Sequence, residues 1–249
     1  MKKQIHTIPV AVSFESGDEC PFCDLERDTE QRAIRFYAGP GASYMEPEIR
    51  EITNRTGFCR CHTKKLYEYG NPLGSALMLQ THMADILEDL QENAARPEAP
   101  RKSLLGKKNA EQKQPYWQHL QERVDSCAIC DQVQSNMARH YQVFFSLLDE
   151  AEFRELFRNC KGFCLPHFAR ILQEAERHLP RSQAQWFYPV LYSLMEENLI
   201  RVKQDLDWMV ARYDYRNAGA PEKNSRDALP RTMQKLAGIY PADPPYRKD

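Results

Sequence analysis

No stretch of this chain approaches the about 18 consecutive apolar residues of a membrane-spanning helix, in keeping with a mean hydropathy of −0.69. Neither sign of charge dominates. Lysine and arginine number 34 and aspartate and glutamate 35, leaving a formal charge of −1. Such a balance supplies no global field to draw the protein onto nucleic acid or an anionic membrane. Residues 1–12 carry two lysines but only a short apolar run broken by Pro9, with no cleavage site for export, so a cytoplasmic protein is expected. Common catalytic signatures are missing too: there is no Gly-x4-Gly-Lys, Gly-x-Gly-x2-Gly, Gly-x-Ser-x-Gly or His-Glu-x2-His. No catalytic residue is assigned, and His6, His82, His119, His140 and His178 read as surface or core histidines.

What the chain does have is eight cysteines, at positions 20, 23, 59, 61, 127, 130, 160 and 164. In a reducing compartment, closely spaced cysteines read as metal ligands or redox thiols rather than disulfides. Cys20-Pro-Phe-Cys23 is followed by Gly57-Phe-Cys59-x2-His62, and Cys127-Ala-Ile-Cys130 by Gly162-Phe-Cys164-x2-His167. The offset from Cys20 to Cys127 is 107 residues and that from Cys59 to Cys164 is 105, so both halves repeat one pattern.

Zinc takes four ligands in a tetrahedron, and a Cys-x2-Cys turn with a Cys-x2-His turn supplies them. The expected sites are therefore Cys20, Cys23, Cys59 and His62 in the first half, and Cys127, Cys130, Cys164 and His167 in the second. Four protein ligands leave no open position, which makes both sites structural. Cys61 and Cys160 fall outside the repeat: Cys61 aligns with Pro166, and Cys160 with Arg55. They read as fillers, with a redox thiol at Cys61 as the alternative. An iron–sulfur cluster is the rival occupant, because cysteine-rich sites with one histidine hold clusters too.

Between the motifs the pattern is helical and the expected class is all-α. Helices are expected at about 24–37, 47–54, 62–69, 75–93, 131–148, 152–159, 166–179 and 181–212, with Pro189 kinking the last. Val133, Met137, Tyr141, Phe144, Phe145 and Leu148 recur at three and four residues, marking one apolar helix face. Asp24 and Asp131 each follow a Cys-x2-Cys pair, where a carboxylate suits the start of a helix. Residues 96–114 hold six basic and two acidic residues with two prolines, and read as a linker. The expected organisation is a zinc-knuckle repeat over 1–95, the basic linker over 96–114, a second repeat over 115–213 and an irregular C-terminal arm with a short helix over 214–249.

These motifs, with Asp227-Ala-Leu-Pro-Arg231, resemble a bacterial family of domain-of-unknown-function proteins of about this length, along the whole chain. Members are sometimes labelled ABC transporter substrate-binding proteins; the resemblance implies no mechanism. Three functions remain open. The first is an intracellular module with two zinc ions per chain that binds protein, with no nucleic-acid or membrane partner expected. The second is a thiol-based redox or metal sensor, and the third an iron–sulfur electron-transfer protein or metalloenzyme.

Overall fold

The computed structural model describes residues 5–94, 115–217 and 219–238. The expected linker at 96–114 and the end of the C-terminal arm lie outside the described residues. Among the described residues the protein is all-helical, with α1 (Ile8–Glu15), α2 (Pro21–Ala38), α3 (Pro47–Thr56), α4 (Arg60–Tyr69), α5 (Pro72–Ala94), α6 (Tyr116–Asp125), α7 (Ala128–Leu147), α8 (Ala151–Asn159), α9 (Leu165–His178), α10 (Arg181–Ala211) and α11 (Ala228–Ala237). No described helix is long and apolar enough to cross a membrane.

Two helices depart from the sequence reading. Pro9 does not break the first apolar run; it sits in the first turn of α1, where its missing N–H costs no helical hydrogen bond. Helix α6 was not expected either: Trp117, Leu120 and Val124 recur at three and four residues along it, yet none of its residues is buried. Helix α10 continues through Pro189 for 31 residues. After α10 the chain makes a short 3-10 turn at Tyr215–Asn217, and α11 then packs on α9 and α10.

The described residues form two compact units. Unit one comprises residues 5–29, 135–217 and 219–238; unit two comprises 30–94 and 115–134. These units do not follow the two consecutive stretches read from the sequence, since the boundary falls inside α2 and α7.

Unit one has an aromatic core. Phe22, Phe144, Phe153, Phe157, Phe163 and Phe187 are all fully buried. Phe22 stacks on Tyr141 with centroids 4.5 Å apart, and Phe14 leans on Phe153 at 5.0 Å. Truncating one such ring to alanine typically costs about 3–5 kcal/mol. The core of unit two is leaner: Ile34, Met78 and Ile129 are its largest fully buried side chains. There α3 packs along α5, and α4 also touches α5.

Candidate metal centres

In the two Gly-Phe-Cys-x2-His motifs the leading glycine is set by the turn it makes. Gly57 and Gly162 have φ of +58° and +73°, a region that side chains with a Cβ rarely occupy. Gly57 also lies so close to the His82 ring that a Cβ would meet its Nε2 at 2.5 Å. Each glycine turns the chain so that the cysteine two residues later stands just before a new helix, α4 after Cys59 and α9 after Cys164. The histidine then falls within that helix's first turn. The Cys-x2-Cys pairs likewise open α2 and α7, where Cys23 and Asp131 donate their N–H groups to the carbonyls of Cys20 and Cys127.

The eight expected residues gather in two foursomes, each with its donor atoms within 4.8 Å of one another. The partners are exchanged relative to the sequence expectation. Cys20 and Cys23 meet Cys164 and His167 in unit one, and Cys127 and Cys130 meet Cys59 and His62 in unit two.

Unit-specific hydrogen bonds account for this pairing. In unit two, Ser126 Oγ donates to the Thr56 carbonyl at 2.7 Å, and the Ala128 N–H to the Gly57 carbonyl at 3.1 Å. In unit one, the buried ammonium of Lys235 donates to the carbonyls of Glu19 and Lys161, at the entrances to the two half-motifs. Glu19 Oε2 lies 3.4 Å from that ammonium and also pairs with Arg201.

A tetrahedral zinc with bonds of about 2.3 Å to sulfur and about 2.05 Å to nitrogen separates its ligands by about 3.8 Å for sulfur pairs and about 3.6 Å for sulfur–nitrogen pairs. In unit one, Cys164 Sγ lies 3.8 Å from Cys20 Sγ and 3.6 Å from Cys23 Sγ. His167 Nδ1 stands 3.5, 3.5 and 3.1 Å from the sulfurs of Cys20, Cys23 and Cys164. In unit two, the Cys59 and Cys130 sulfurs are 3.8 Å apart, and His62 Nδ1 is 3.3 Å from those of Cys59, Cys127 and Cys130. Both donor sets thus fit a single tetrahedral ion.

Each histidine is oriented from behind by a carboxylate on α2. His62 Nε2 lies 3.0 Å from Glu30 Oε1, and His167 Nε2 lies 3.4 Å from Glu26 Oε2. Such a partner fixes the ring and the tautomer with Nδ1 free to bind metal. Lys65 pairs with the other oxygen of Glu30. Burial alone would raise the Glu30 carboxyl, but hydrogen bonds from His62 and Lys65 outweigh it and hold it below the usual range. Nothing in the sequence linked Glu26, Glu30 or Lys235 to the motifs, because their partners lie far away along the chain.

Without metal, each foursome is electrostatically divided. Burial opposes charge on His62, yet the neighbouring Cys127 sulfur and Glu30 carboxylate raise it to about 10. Burial also opposes charge on Cys127, and the contact with His62 overcomes it, bringing the thiol down to about 6. In unit one, His167 is raised to about 9, against burial, by Cys20 and Glu26, and contacts with Cys20 and Cys23 lower Cys164 to about 4. Each metal-free cluster thus sets a lowered thiol, Cys127 or Cys164, beside a raised imidazole, His62 or His167. Neither Cys61 nor Cys160 belongs to a foursome, and burial pushes the Cys160 thiol up to about 12.

No curated protein and no solved structure matches this chain. A family model does, over residues 1–243, which takes in both foursomes and α11. By that match the chain belongs to the family of unknown function DUF6062.

Proposed function

We propose that this protein is an intracellular module that holds two structural zinc ions, each by three cysteines and one histidine, and acts by binding another protein. The spacing of the eight donor atoms carries this reading: two Cys3His foursomes have edges suited to one tetrahedral ion apiece. A cluster would interpose several iron and sulfide atoms between its thiolates, whereas these sulfurs and imidazole nitrogens stand at the span of a single ion. With four protein donors each, the sites offer no position for a substrate. Eight free thiols, none in a disulfide, suit a reducing compartment.

The role in binding protein is supported by unit two. On α5, Leu79, Met83, Leu87 and Leu90 are exposed at spacings of four, four and three residues, and Trp117 and Val124 are exposed on α6. Apolar rows of this kind mark interaction surfaces in soluble proteins. The recurrence of the motifs, with a long helix after each Cys-x2-Cys and a further helix from each Cys-x2-His, supports descent from one duplicated unit.

Metal analysis of protein purified under reducing conditions tests the zinc reading. Two zinc atoms per chain in a colourless preparation are expected; iron with visible absorption would replace it with the cluster reading. Isolation of the protein with its native partners tests the binding role, and recovery of the chain alone speaks against it.

A further inference from the structure

The two foursomes use the same donors but differ in access to solvent. In unit one Cys20, Cys23, Cys164 and His167 are all buried, and Gly238 at the end of α11 lies against them: a Cβ there would stand 3.6 Å from Cys164 Sγ. In unit two Cys127 and His62 are buried, Cys59 is half-buried and Cys130 is exposed. Cys59 and Cys130 supply the sulfur pair 3.8 Å apart.

We propose that Cys59 and Cys130 are a peroxide-sensitive pair, a modification site whose conversion to a disulfide discharges the ion of unit two while unit one keeps its own. This rests on the zinc reading above. The oxidant is a hydroperoxide, of which hydrogen peroxide is the simplest. A lone pair of the Cys130 thiolate attacks one peroxide oxygen, the O–O bond breaks, and the departing hydroxide takes up a proton to become water. Cys130 is then a sulfenic acid. The Cys59 thiolate attacks its sulfur, the S–S bond forms, the S–O bond breaks, and a second hydroxide leaves and is protonated to water. Two thiolates are oxidised by two electrons and one peroxide is reduced to two waters. Zinc is left with Cys127 and His62 alone, half its ligand set, and dissociates. Cys61 is exposed as well, but its sulfur is not among the atoms gathered within 4.8 Å, so Cys59 is the partner at hand.

The test starts from protein carrying two zinc atoms per chain, treated with hydrogen peroxide beside a colour-forming zinc chelator, with a peroxide-free control. One equivalent of zinc should leave at least about tenfold faster than the second, as the reactivity of thiolates follows their access. Peptide mapping by mass spectrometry should then find Cys59 joined to Cys130, with Cys20, Cys23 and Cys164 reduced. Cys61→Ser should release zinc at the same rate. Simultaneous loss of both ions, resistance of both, prior loss from unit one, or a Cys61–Cys130 disulfide would each overturn the proposal. A chain purified without zinc defeats the zinc reading before peroxide is added, whereas two ions that peroxide does not distinguish defeat this inference alone.

Discussion

The donor residues act in pairs that sequence proximity does not predict, and variants resolve those pairs. Cys20→Ser and Cys164→Ser should each remove the same ion, so the double variant still carries one zinc per chain; combining Cys20→Ser with Cys59→Ser should leave none. Pairing within each half would give the reverse. Cys127→Ser and His167→Ala should each lose one ion, from unit two and unit one respectively, while Cys160→Ser keeps both. Zinc counted per chain decides all of these. Glu30→Gln removes the charge that orients His62 and should weaken zinc in unit two by about 10- to 100-fold, read by competition with a chelator of known affinity. The donor identities were legible because cysteine and histidine at fixed short spacing make a local turn. The carboxylates behind the histidines were not, because Glu26 and Glu30 look like any charged positions on a helix.

At the scale of elements, most helices were legible from apolar periodicity, and the glycine before each Phe-Cys pair from its turn. The tail was legible only as an irregular arm with a short helix; its role was not. Helix α11 carries Lys235 into a site that is 1% exposed, where its ammonium ties the Glu19 and Lys161 carbonyls together. Lys235→Met should lower stability by about 3 kcal/mol in denaturant titration, since it leaves buried acceptors and Glu19 without that cation. Two features moderate the loss: Glu19 keeps Arg201, and the methionine stem fills the space. The units should also differ in their need of metal. Unit two buries fewer large side chains, so chelation should raise hydrogen exchange more in α3, α4 and α5 than in α8 and α10.

For the whole chain, the proposed zinc uptake carries a coupling to proton loss. Zinc binds a neutral imidazole and thiolates, whereas at neutral pH the metal-free clusters hold protons on His62, raised to about 10, and on His167, raised to about 9. Binding therefore expels those protons, and acid favours the metal-free form. Apparent zinc affinity should fall by at least about tenfold for each pH unit lowered below neutrality, with net proton release when calorimetry is repeated in buffers of different protonation heat.

The sequence by itself determined the all-helical class, the eight cysteines and histidines that gather in clusters and the two-residue form of each half-motif, because these depend on spacings of a few residues along one turn. Which halves meet was decided only in three dimensions. Every half-motif offers two ligands and accepts either complementary half equally well, so local chemistry is degenerate. The choice fell to contacts between distant segments: Ser126 and Ala128 on the end of α3 in unit two, and Lys235 between Glu19 and Lys161 in unit one.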